Sequence, residues 1–227
     1  MANEPNFQYC PPQEPLTVLH VDKDILCVVK PCGLLSVPGR GADRQDSLYT
    51  RVLTEYPLAQ MVHRLDMDTS GVMIVALRRK AERELKAQFR ERTVQKRYEA
   101  IVYGDPNESG TIDAPLMRHP TQKLRHCVHK EGKPSVTNYT KLSSKEQYSW
   151  VELVPLTGRS HQLRVHLSHL GLPIVGDRFY APLNVVGMCE RLLLHASDIR
   201  FTHPYSGDAM HFNAPSGFDK WLDWPIS

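Results

Sequence analysis

Short apolar runs and alternating runs follow one another along the chain, and both patterns predict strands. ILCVV (25–29) and VMIVAL (72–77) are continuous apolar runs of the kind that buried strands contain. KRYEAIVYG (96–104) alternates with apolar side chains on both faces, which indicates a strand that is covered on both sides. Further strands are predicted over 135–142, over 149–156 and, as the two arms of a hairpin with a Ser-Gly turn, over 198–215.

Three other segments have the period of an α-helix, namely 46–56, 78–92 and 157–171. In the third, Leu163, Leu167 and Leu170 form an apolar stripe, and either Thr157 or Ser160 is the expected N-cap. Strands that form hairpins with few helices between them predict an α+β fold with a mixed, mainly antiparallel sheet and flanking helices.

The length of 227 residues and the hydrophobic fraction of 41% fit one globular domain with a sizeable core. Residues 1–15 are polar and rich in proline, and we expect a flexible arm there. Residues 16–227 are expected to form a single catalytic domain with two lobes.

Positive charge is concentrated in the middle of the chain. The net charge is only +3, but residues 61–130 contain 14 Lys and Arg against 9 Asp and Glu. A local excess of this kind suggests a polyanionic partner. The alternative is a solvated charged face, because glutamates alternate with the basic residues of segment 78–92.

The five cysteines are odd in number and no two have CxxC spacing, which favours reduced thiols and a cytoplasmic protein. No segment resembles a signal peptide or a membrane span. His161, His166 and His169 raise the question of a metal site, but without HExxH or a nearby cysteine we expect none.

HRLDMDTSG (63–71) contains the carboxylate of greatest interest, Asp66. It could be a turn residue beside a surface arginine. However, the small residues Thr69, Ser70 and Gly71 follow it and allow a ligand or another backbone to approach closely. A carboxylate in a basic cleft stays ionised, and an ionised carboxylate is what attack on a sugar carbon requires.

Five segments in the same order resemble the motifs of the RluA family of pseudouridine synthases. They are KPCGLLSVPG (30–39), HRLDMDTSG (63–71), QKRYEA (95–100), GRSHQLRVH (158–166) with the following GDRFY, and RLLLHA (191–196). The family resemblance implies a pseudouridine synthase-like fold with a central catalytic cleft, and an RNA substrate. The short N-terminus is similar to that of compact family members without an S4 domain.

The resemblance also implies roles for individual residues. Asp66 would be the catalytic carboxylate, attacking C1′ of the ribose or removing the C2′ proton, and the sequence leaves both open. Tyr98 would stack on the uracil, and Arg164 would pair with Asp66. Arg64 would fill the gap left by the flipped uridine, and Leu194 would form an apolar wall. Further substrate contacts are expected from His63, Thr69, Arg159 and His161.

Compact family members modify a stem-loop uridine in 23S rRNA and one in a tRNA anticodon loop. The resemblance therefore implies that one or both of these RNAs are partners. It also implies a monomer that needs no cofactor. Two other functions stay open on the sequence. The first is a non-catalytic RNA-binding or chaperone module with the same fold. The second is a metal-dependent hydrolase that uses the histidines.

Overall fold

The computed structural model describes residues 8–222, and strands dominate this range. They are β1 (Thr17–Val21), β2 (Ile25–Lys30), β3 (Gln60–Met61), β4 (Ser70–Ala76), β5 (Gln95–Tyr103), β6 (Ser109–Asp113), β7 (Leu116–Arg118), β8 (His126–Val128), β9 (Val136–Lys145), β10 (Tyr148–Pro155), β11 (Leu194–Thr202) and β12 (Ala209–Asn213). The helices are α1 (Leu48–Glu55), α2 (Arg79–Glu91), α3 (Gln162–His169), α4 (Leu183–Val186) and α5 (Asp219–Leu222). In the part of the chain described, no helix is long and apolar enough to cross a membrane.

One ten-stranded sheet runs through the molecule in the order β1-β2-β4-β11-β5-β10-β9-β6, with β3 beside β4 and β12 beside β11. All of its pairings are antiparallel except that of β4 with β11. The separate hairpin of β7 and β8 forms a two-stranded sheet. The α+β prediction with a mainly antiparallel mixed sheet is therefore confirmed.

Strand β4 is buried along its whole length because helices cover both faces of this half of the sheet. On one face Val72 and Ile74 pack with Leu85 of α2. On the other face Met73 packs with Leu48 of α1. A strand that is buried on both faces has no polar positions, which explains the continuous apolar run in the sequence.

The other half of the sheet has its own core around β5, β10 and α3. Tyr98 packs against this core and also against the α1 side of β4, so it lies where the two halves meet.

Gly71 allows the two halves to approach at the parallel pairing. Its φ is +122°, and a Cβ there would lie 2.2 Å from the carbonyl oxygen of Ala196 in β11. Only glycine tolerates both conditions. The sequence predicted that the small residues after Asp66 let either a ligand or another backbone approach closely. At Gly71 the close neighbour is the backbone of β11.

Helix α3 is shorter than predicted, and neither Thr157 nor Ser160 caps it. The N-cap is His161 in the left-handed region (φ 56°) without a side-chain cap. The Thr157 hydroxyl instead donates to Gln162 Oε1 at 2.8 Å. The leucine stripe was also wrong in part, because residues 162–167 are all buried and Leu170 is exposed. A helix enclosed on all sides does not need an amphipathic pattern.

The predicted arm at 1–15 lies partly outside the described residues, which begin at residue 8. Within the range Tyr9 is buried, its hydroxyl donates to the carbonyl of Asp46, and it accepts from the N–H of Leu35. At this point the chain is anchored to the body of the protein and is not a free arm.

Candidate active site

Asp66 lies on the loop between β3 and β4. The loop forms one wall of a cleft of about 1190 Å³. Strand β5 and the segment leading into α3 provide the other walls. The side chain of Asp66 is 28% exposed, so solvent or a ligand can reach the carboxylate.

Arg164 connects Asp66 to a second carboxylate, Asp177. The guanidinium binds Asp177 through Nε and Nη2, each at 2.8 Å, and Nη1 lies 3.3 Å from Asp66 Oδ2. The Asp177 side chain is completely buried and that of Arg164 is 2% exposed. Although burial alone lowers the Arg164 pKa, its hydrogen bonds to Asp177 and both carboxylate charges raise it overall. Arg164 is therefore a fixed positive charge beneath Asp66.

The end of β2 and the segment that follows it hold the backbone of the Asp66 loop. Lys30 is fully buried, and its Nζ donates to the carbonyls of Pro31, Leu34 and Met67 at 2.7–2.8 Å. Met67 O also accepts from the N–H of Gly33. Burial lowers the Lys30 pKa to about 7, and the nearby Cys32 and the two loop aspartates oppose this shift.

The GDRFY segment holds the loop from the opposite side. Arg178 Nη2 donates to both oxygens of Asp68, at 2.7 and 2.9 Å. The Tyr180 hydroxyl lies 2.6 Å from His161 Nδ1, and His161 Nε2 lies 3.9 Å from Asp66 Oδ2. Burial lowers the His161 pKa to about 4, so at neutral pH its contact with Asp66 is not an ion pair.

Tyr98 of β5 and Leu194 of the paired strand β11 supply apolar surface to the same cleft. Both line it, and the Leu194 side chain belongs to the core that supports α3. Burial, followed by the Asp66 charge, raises the Tyr98 pKa, so the phenol stays protonated at neutral pH. The predicted neighbours Asp66, Tyr98, Arg164 and Leu194 are thus brought together.

The remaining predicted substrate contacts also line the cleft: Arg64, His63, Thr69, Arg159 and His161. His63 Nε2 accepts the Ile74 N–H at 2.9 Å, and its ring stacks on Phe89. Burial lowers the His63 pKa to about 3. Through these contacts the His63 ring supports the cleft wall.

The walls of the cleft are strongly basic. Cationic lining residues are Arg64, Arg90, Arg92, Lys96, Arg97, Arg159 and Arg164, whereas Asp66 is the acidic residue among those that line it. From the basic series of segment 78–92, Arg90 and Arg92 reach the cleft. Others form exposed pairs on α2, such as Lys86 with Glu82.

The three histidines considered as metal ligands do not converge. His161 faces Tyr180, and His166 is held between Thr137 Oγ1 and the carbonyl of Ala114. His169 is exposed at the end of α3.

Sequence reasoning missed Asp177, Tyr180 and Lys30 as parts of the site. All three lie within segments that carried the family resemblance, and that was the available signal. The Asp177 carboxylate also accepts from the N–H groups of Phe179 and Tyr180, so it shapes its own turn.

Comparison with known proteins agrees with this geometry. The family model "RNA pseudouridylate synthase" matches residues 24–169. The dual-specificity RNA pseudouridine synthase RluA of Escherichia coli O6:H1 is 51% identical over 92% of this chain and 98% of its own. The protein of that name from Vibrio parahaemolyticus is 48% identical over 88% and 83%.

Solved structures give the same result. Human RNA pseudouridylate synthase domain containing 1 is 32% identical, with a TM-score of 0.77 over 92% of this chain and 87% of its own. Human RNA pseudouridylate synthase domain containing 4 is 26% identical, with a TM-score of 0.71 over 88% of each chain. The chain belongs to the RNA pseudouridylate synthase family. It is an isomerase that acts on RNA, and the catalytic interpretation is favoured over a non-catalytic RNA-binding module.

Proposed function

We propose that the chain converts one uridine in a tRNA anticodon stem-loop and one in a 23S rRNA stem-loop to pseudouridine, with Asp66 as the catalytic carboxylate. The observation that carries the role of Asp66 is its shared contact with Arg164. Asp177 takes both strong bonds of the guanidinium, and Asp66 receives one contact at 3.3 Å through Oδ2. Arg164 thereby orients Asp66, and no partner holds Asp66 Oδ1 within the described part of the chain.

The reaction breaks the C1′–N1 bond and forms a C1′–C5 bond. In one route Asp66 attacks C1′ and becomes bonded to the sugar, and in the other it takes the C2′ proton to give a glycal. In both routes the uracil turns and its C5 bonds to C1′. This step breaks the Asp66–C1′ bond in the first route, and in the second route Asp66 returns the proton to C2′. The C5 proton then passes to N1 through solvent. The same base leaves and returns, so atoms balance without a cofactor.

Tyr98 supports the base in this scheme. Its ring belongs to the apolar wall together with Leu194, and a flipped uracil can stack on a flat phenol. Because its pKa is raised, Tyr98 is a neutral phenol, and it can move the C5 proton only as a relay that releases its own hydroxyl proton as it accepts one.

Two RNA classes are proposed because the relatives of about 50% identity are named dual-specificity enzymes. A stem-loop suits a cleft with seven basic residues at its walls, since phosphates approach from both sides of a loop. We also propose that the enzyme works in the cytoplasm, which the five unpaired cysteines support, and that it works as a monomer.

The test of this proposal is to map pseudouridine in cells that lack the protein, by carbodiimide treatment and reverse transcription stops. We expect one site to disappear from tRNA and one from 23S rRNA, and both to return with the wild-type gene but not with Asp66→Asn. Loss in a single RNA class would reduce the proposal to one substrate. Unchanged maps in both classes would overturn the proposed targets.

A further inference from the structure

Two cations meet where α2 ends and β5 begins, at one edge of the cleft. Arg92 is the C-cap of α2 in the left-handed region (φ 61°), and Lys96 is the second residue of β5. Both line the cleft that contains Asp66. Among residues 8–222 neither side chain makes a hydrogen bond or an ion pair, whereas the adjacent Arg97 pairs with Glu152.

The environment of Lys96 is unfavourable for a free ammonium. Its side chain is half-buried, and burial followed by the charge of Arg92 lowers its pKa. The His63 ring lies close enough to be affected, because the charge of Lys96 adds to the effect of burial in lowering the His63 pKa. A desolvated cation beside a second cation costs folding stability unless an anion joins them.

The Lys96 ammonium lies near the segment that leads into α3. A Cβ placed on Gly158, in the segment before α3, would lie 3.9 Å from Lys96 Nζ. Gly158 precedes Arg159 and His161, which line the same cleft. Because residue 158 is glycine, no side chain at this position contacts the ammonium.

We propose that Lys96, with Arg92 beside it, binds a backbone phosphate of the RNA close to the target uridine. A phosphodiester carries the single negative charge and the acceptor oxygens that this pair of cations lacks in the free protein. Lys96 contributes a compact ammonium on the side of β5, two residues before Tyr98. A phosphate held there would fix the nucleotide's backbone while its base lies against the tyrosine. The proposal rests on RNA as the substrate and is independent of which RNA is modified.

The test compares Lys96→Gln with Lys96→Arg and with Lys145→Gln as the matched control. Lys145 is exposed and lies at the far end of the β9–β10 pair, away from the cleft. The measurements are the affinity for one stem-loop RNA over a range of salt concentrations, the single-turnover rate at saturating RNA, and the melting temperature without RNA.

For Lys96→Gln we expect affinity to fall roughly tenfold. The log–log salt slope should shrink by about 0.7 to 0.9, the value for one lost phosphate contact. The melting temperature should stay equal or rise, because an unpaired desolvated charge has been removed. Lys96→Arg should keep the wild-type slope, and Lys145→Gln should match the wild type in affinity, salt slope and turnover.

A wild-type slope in Lys96→Gln would overturn the proposal. So would weaker binding accompanied by a fall in melting temperature, because that result assigns Lys96 to the folding of the cleft wall. If wild-type protein does not modify the chosen RNA, the proposed targets are at fault. The salt slope still tests Lys96, because it measures binding and not turnover.

Discussion

Lys30 and Arg164 are both buried cations beneath the Asp66 loop, yet they hold it by different groups. Lys30 donates to three backbone carbonyls and, among the described residues, pairs with no carboxylate. Arg164 binds the carboxylates of Asp177 and Asp66. Their pKa values shift in opposite directions, since the Lys30 pKa falls to about 7 and that of Arg164 rises.

The difference follows from the shapes of the two cations. An ammonium is a compact charge that can gather several carbonyls, whereas a planar guanidinium can bind one carboxylate with two bonds and keep a third donor for another. Lys30 therefore fixes the backbone of the loop at Met67, and Arg164 fixes the direction of the Asp66 side chain. We expect variants at the two positions to fail in different ways.

The largest effect is expected for Arg164→Met, which leaves the buried Asp177 without its partner. Breaking a buried pair costs about 3–5 kcal/mol of folding stability. Urea denaturation would measure the loss. The double variant Arg164→Met with Asp177→Asn should recover part of this stability, because the uncompensated charge is gone, but it should not recover turnover. Recovery of turnover would show that Asp66 needs no guanidinium to orient it.

A smaller loss is expected for Lys30→Met. Its partners are neutral carbonyls, and leaving such groups unsatisfied costs about 1–3 kcal/mol. One of them, Met67 O, keeps the N–H of Gly33. We expect kcat to fall more than KM rises, because the loop shifts while the basic walls remain. A stability loss equal to that of Arg164→Met would remove the distinction between the two cations.

The pH dependence of stability separates the two cations further. The Lys30 pKa is about 7 in the folded protein and about 10.4 in an unfolded chain. Between these values the unfolded state binds more protons, so the contribution of Lys30 to stability rises with pH, by at most about 1.4 kcal/mol per unit. Wild type should therefore gain stability relative to Lys30→Met above pH 7 in parallel thermal melts. A gap that is flat or narrows with pH would contradict a lowered Lys30 pKa in the folded protein.

Arg64 is a third cation near Asp66, and it lies on the Asp66 loop itself. Its substitution is expected to have the smallest effect on folding. It is exposed and, within the described range, has no hydrogen bond or ion pair, so Arg64→Ala should leave the melting temperature unchanged. If it fills the gap left by a flipped uridine, Arg64→Lys should slow single turnover on a structured stem-loop, and Arg64→Ala more so. Both defects should shrink on an RNA whose uridine is already extrahelical. Equal losses on the two RNAs would place Arg64 at the chemistry instead.

The contrast between local patterns and distant partners explains which parts of the fold and site could be predicted from the sequence. Strands β2, β4, β5, β9 and β10 were predicted from local periodicity, and the loop with Asp66 from its motif. Lys30 and Asp177 were not singled out, because a buried charge is recognisable only when its partners are known. Lys30 and Met67 are 37 residues apart, and Arg164 and Asp66 are 98 apart. The start of α3 was wrong for a related reason, since Thr157 binds Gln162 and the strand beside it and does not cap the helix.

The most direct test of the central claim is the single-turnover rate of pseudouridine formation by Asp66→Asn on a stem-loop RNA. The amide keeps the shape of the side chain but cannot attack C1′ or take the C2′ proton. We expect the rate to fall by at least about 10³-fold, with melting temperature and RNA affinity close to wild type. A folded Asp66→Asn protein that forms pseudouridine at a rate near wild type would contradict the assignment of Asp66 as the catalytic carboxylate.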